Sequence, residues 1–138
     1  MSIVDDVQAY LATAEIVDGS SEWPSVRRNV HDGSDRLVIV TEDGGLPPET
    51  PSPSGIGDSA FMEPAVQVRV RGEPWDSDSA SAKAQEVFDA LHGFMRGELN
   101  SVYYIRVAAQ TSAPVFIGFD TNGRPEFTIS FRALRTVA

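Results

Sequence analysis

The sequence has 138 residues and no cysteine, a size that suits one domain burying its own core and a composition that excludes disulfides, thiolate metal sites and cysteine nucleophiles. Eleven basic residues against twenty acidic ones give a net charge of −9, which argues against a nucleic-acid or anionic-membrane binder that works by bulk attraction. No apolar run approaches the ~18 residues of a membrane span, and the first residues carry acid where a signal peptide needs base, so no export signal is expected.

In chain order, residues 2 to 14 read as an amphipathic helix. Ile3, Val7, Tyr10, Leu11 and Ala14 recur at three- and four-residue spacing, with Ser2 as N-cap, Asp5 and Asp6 in the first turn and Gly19 as stop. A polar, turn-rich stretch follows, docked by Trp23. LVIVTE at 37 to 42 then suits a buried strand. Residues 43 to 59 hold four prolines, four glycines and three serines, a composition expected to forbid regular structure and to leave a long, mobile loop. AVQVRVR at 65 to 71 alternates cleanly, Val66, Val68 and Val70 facing one way and Gln67, Arg69 and Arg71 the other.

A second helix is expected from about Ser79 to Phe94, with Ala80, Ala84, Val87, Phe88, Leu91 and Met95 on its apolar stripe and caps supplied by the WDSDS segment. Residues 102 to 110 read as a strand. Residues 114 to 120 and 124 to 132 read as a hairpin, because Asn122-Gly123 suits a tight turn with two positive φ angles. Phe127, Ile129 and Phe131 are its core residues. The order predicts a single α+β domain over 1 to 138, a mostly antiparallel sheet with two helices packed on one face and the 43 to 59 loop at its side.

Chemistry is sparse. His31 and His92 have no ligand partners at metal-binding spacing, and His92 suits the negative end of a helix dipole. Asp76 and Asp78 fall at a helix start, where capping accounts for them. The Gly55-x-Gly57 pattern follows no strand and opens no helix, so it is no dinucleotide fingerprint. No catalytic set, metal site or cofactor site is expected. Charge is uneven, however: residues 1 to 63 hold twelve acids against Arg27, Arg28 and Arg36, while residues 64 to 138 hold eight acids and eight bases. Arg69, Arg71, Arg106, Arg124 and Arg132, with Arg135, are the candidate interface residues. On outward strand faces they would pair with the acids of another subunit in a head-to-tail contact.

The helix DDVQAYLATA, the segment EPAVQVRVRGEPWDSDSASAKAQEVFDALHGF and the ending PVFIGFDTNGRPEFTISF together resemble the tail terminator, or minor capsid, proteins of long-tailed bacteriophages. The resemblance rests on Val66 to Arg71, on Ala80 to Gly93, and on Asp120, Gly123 and Arg124 followed by Phe127 to Phe131. It implies a virion subunit, assembled in the host cytoplasm, that forms a hexameric ring at the head-tail junction. Such a ring stops polymerisation of the tail tube, meets the neck or connector protein, and lets double-stranded DNA through its lumen without specific binding. Head-completion and connector proteins are similar in size and ring form. Outside that class stand a monomeric binding domain and a small enzyme.

Overall fold

A computed structural model describes residues 3 to 19, 22 to 28, 34 to 44, 46 to 49 and 61 to 136, with the backbone alone at 46 to 49, 61 and 136. Among them are two helices and nine strands: α1 (Ile3–Thr13), β1 (Ser25–Arg27), β2 (Leu37–Glu42), β3 (Leu46–Glu49), β4 (Phe61–Glu63), β5 (Ala65–Arg71), α2 (Ser77–Leu91), β6 (Phe94–Leu99), β7 (Val102–Ala109), β8 (Val115–Phe119) and β9 (Pro125–Thr136). This is the expected α+β domain. All strand pairs are antiparallel except β1 with β2.

The sheet is organised on β9. One of its edges pairs with β5 and then β4, which run end to end across Pro64. Its other edge pairs with β8 and then β7. β2 and β1 extend the β5 side, and β6 extends the β7 side. Register aligns Val38 with Val70, Val40 with Val68, and Val66, Val68 and Val70 with Phe131, Ile129 and Phe127. Those residues share one face with the buried stripes of both helices, Ile3, Val4, Val7 and Leu11 from α1 and Ala80, Ala84, Val87, Phe88 and Leu91 from α2. Strand alternation therefore builds a single core between the sheet and the helix layer. Trp23 is buried, as its docking role requires, with the Arg36 guanidinium 5.4 Å and the Lys83 ammonium 5.8 Å from its ring.

Several expectations are corrected. Helix α1 ends at Thr13, and Glu15, with φ +61°, makes the left-handed turn that was expected of Gly19. Helix α2 runs from Ser77 to Leu91, with Asp76 accepting from the Ser79 N–H at 3.2 Å as N-cap. It stops short of Phe94 because Gly93, at φ +82°, redirects the chain and β6 then finds a strand partner in β7. Met95 accordingly leaves the helical stripe and is 64% exposed. Asn100 and Ser101, both at positive φ, form the two-residue turn of that hairpin. Inside the Pro/Gly/Ser segment, Leu46–Glu49 forms β3 against β4 through an irregular register; residues 50 to 60 lie outside the described set, as does Ser2.

The β8–β9 hairpin is present, but its turn is not the two-residue kind. Gly123 takes φ +76° without Asn122, and the loop is held by Asp120 instead. Asp120 Oδ1 accepts from the Asn122 and Arg124 N–H groups at 2.9 Å each, and Oδ2 from Arg124 Nε at 2.7 Å. Burial alone would raise this carboxyl, but the Arg124 backbone and guanidinium and the Asn122 N–H together hold it below its ordinary value. A depressed carboxyl stabilises the fold above its unfolded pKa and ceases to do so as pH falls through the folded value. The melting-temperature gap between the natural chain and Asp120→Asn should thus be widest near neutrality and close below the ordinary value of 3.8; a gap unchanged by acid would refute the role.

Candidate functional site

The six arginines marked in the sequence split into two groups. Arg71, expected to face outward, is 1% exposed: its guanidinium donates to the carbonyls of Ser34 and Asp35. It is the correct strand face, but the 34 to 36 segment crosses it, and backbone carbonyls satisfy the buried cation. Arg124 is 5% exposed, bound by Asp120 and 3.7 Å from Asp35. Both fasten loops in this structure, a correction to the expectation of outward side chains. Arg69 is half-buried with Glu126 at 3.8 Å, and Arg135 lies 5.9 Å from the Tyr104 ring with Nη2 on Met62 Sδ.

Arg106 and Arg132 remain exposed, and the register brings them together. Arg132 stands opposite Ala108 and Arg106 opposite Leu134, so the two are diagonal neighbours on the face away from the helices. With Glu63, Ala108, Ala109 and Gln110 they line a cleft of about 380 Å³.

A second surface was not foreseen. β8 pairs only with β9 among the described strands, so its other edge presents unpaired backbone groups. Along it Val115, Phe116, Ile117 and Phe119 are each 42 to 51% exposed, beside Trp75 at 74%. A register shift between Phe116 and Gly118 lets the Phe116 and Phe119 rings meet edge-on at 5.4 Å, with Trp75 5.0 Å from Phe119. Trp75 is held there by its N–H on the Gly123 carbonyl at 2.9 Å, and Gly123 is required because a Cβ would lie 2.7 Å from the indole. An apolar edge strand left open in this way is a template for pairing with another chain. The sequence signal was the absence of alternation: VFIGF has no polar position to turn toward water.

His92 caps α2, stacks on Phe88 and accepts the Ala109 N–H at Nδ1, 3.0 Å away. It thus sits at the helix end, where it was expected, and its ring joins α2 to β7 as a hydrogen-bond acceptor. His31 and the Gly55-x-Gly57 pattern lie outside the described residues. Among the described residues no group of three His, Asp or Glu side chains is placed to hold a metal, and no helix is long and apolar enough to cross a membrane.

The family model for bacteriophage tail terminator proteins matches residues 10 to 137. The chain belongs to that family. The match takes in every strand that builds the sheet, the Asp120-Gly123-Arg124 turn and the open β8 edge. Tail terminators are structural components of the phage virion at the tail end, which agrees with surfaces suited to protein contact. No curated protein matches the chain.

Proposed function

We propose that this tail terminator forms a hexameric ring on the head-proximal end of the tail tube, where it stops tube polymerisation and joins the tail to the neck or connector protein. The observation that carries this reading is the open β8 edge with its uncovered Trp75, Phe116 and Phe119 cluster. A solitary domain leaves such a strand exposed to aggregation, whereas an assembling subunit covers it with a partner. The charge of −9 per copy favours a lumen that repels the phosphate backbone, so that DNA passes without being held.

Electron microscopy of particles made without this chain tests the proposal. Tails of irregular or excessive length, unattached to heads, are expected; tails of normal length joined to heads would overturn it. Phe116→Ser with Phe119→Ser removes the apolar surface from residues already half exposed. This variant should fold, stay soluble and fail to restore tail length.

A further inference from the structure

Arg106 and Arg132 share one cleft, and like the exposed Arg96 they form no ion pair among the described residues. Arg27 pairs with Asp5, Arg28 with Glu42, Arg36 with Glu22 and Glu73, Arg69 with Glu126, and Arg124 with Asp120 and Asp35. Arg106 and Arg132 meet no carboxylate among the described residues; Glu63 shares their cleft without forming an ion pair to either. Two like charges held as diagonal neighbours on a sheet face repel each other, and an anion between them relieves that cost.

The geometry points to a carboxylate-binding cleft: we infer that Arg106 and Arg132 receive acidic side chains from the α1–β1 connection of a second copy of this chain. That connection carries Glu15, Asp18 and Glu22. Glu15 is exposed and forms no ion pair among the described residues; the Glu22 side chain is 82% exposed while pairing with Arg36, and Asp18 accepts the Ser25 N–H. Charge complementarity favours a segment of the first half, since the acidic excess lies wholly in residues 1 to 63, and Glu15 there is exposed. The chain does not satisfy its own cleft. From β1 the path to β7 crosses β2, β5 and β9, about 19 Å at ~4.8 Å per strand, and the cleft opens on the face opposite the helices. Unlike surfaces meeting across such a distance make a heterologous contact, the type of contact from which rings are built. A phosphate backbone is the poorer candidate, because the net charge of −9 opposes its approach and two arginines do not offset it. The inference rests on the ring reading above and specifies the side chains that join its neighbours.

The absence of cysteine makes cross-linking in assembled tails the direct test. Ala14→Cys with Gln110→Cys puts one thiol beside Glu15 and the other in the cleft, both at exposed positions. Oxidised tails should give a ladder of disulfide-linked copies on a denaturing gel, whereas Ser81→Cys with Gln110→Cys, its first thiol on the exposed side of α2, should not. Adding R106E and R132E should cut the ladder about tenfold or more, and E15R with E22R should restore it. Equal ladders from both cysteine pairs, or a ladder indifferent to R106E and R132E, would overturn the assignment. So would binding of a short DNA duplex by the purified protein that R106E and R132E abolish. Particles that contain the chain and end their tails normally but give no ladder refute the cleft alone; particles of normal form that lack the chain refute the terminator reading itself.

Discussion

Phe131→Ala should lower the unfolding free energy by about 3 to 5 kcal/mol, the usual loss when a buried aromatic ring leaves a cavity. Phe131 is fully buried and lies where β9 is paired on both edges, opposite Val66 of β5 and Ala109 of β7. A domain of this kind is stable by roughly 5 to 15 kcal/mol in total, so the variant should be largely unfolded at moderate urea. Chemical denaturation followed by tryptophan fluorescence measures it directly. A midpoint close to that of the natural chain would show that the two halves of the sheet do not share one core. Phe131→Leu keeps most of the volume and should cost far less.

Tyr104→Phe should cost about 2 to 3 kcal/mol, as expected when a buried charged acceptor loses a donor. Tyr104 and Asp6 are both fully buried, and the phenol donates to Asp6 Oδ2 at 2.5 Å while Asn100 Nδ2 reaches Oδ1 at 3.4 Å. Burial first, then the bond and charge of Asp6, push the Tyr104 hydroxyl well above its ordinary range, so it stays protonated and donates at every pH at which the fold is used. Removing the hydroxyl strands the carboxylate between α1 and β7. The double variant Asp6→Leu with Tyr104→Phe should be more stable than Tyr104→Phe alone, because the buried carboxyl is then gone and the exposed Asn100 amide turns to water. Equal stability of all three chains in urea would sink this account.

Asp6 also shows where reading a sequence stops. In the chain it is one of two acids in the first turn of a helix, and capping accounts for both. Asp5 does sit at the surface, pairing with Arg27, whereas Asp6 is drawn inward by a tyrosine 98 residues away. Periodicity carried the helices, β2, β5 and the core face of β9, since burial there repeats with the backbone's own period. It missed β1, β3 and β4, which are three or four residues long and exist by virtue of their neighbours. It missed β6 because Phe94 and Met95 continue a helical spacing that Gly93 interrupts. For the candidate surfaces, the residue type and strand phase of Arg106 and Arg132 were visible. The burial of Arg71 and Arg124 was not, because it depends on the Ser34–Asp35 backbone and on Asp120, which the fold brings to them. The β8 edge was legible as a strand but not as an edge, a property of the sheet order alone.

The place of β9 bears on the life of the chain before it reaches a tail. Every strand between β4 and β8 except β6 leans directly on residues 125 to 136, which come last in the described order. As the ribosome delivers the polypeptide, the strands before β9 pair only in separate pieces, β1-β2-β5, β3-β4 and β6-β7. The two-stranded ones among them are at best marginal in water. The sheet becomes one object when its last strand is translated and slides between them. A nascent chain that lacks residues 125 to 136 therefore lacks the β8–β9 hairpin and the Arg106–Arg132 cleft alike, and a product truncated before them presents neither surface.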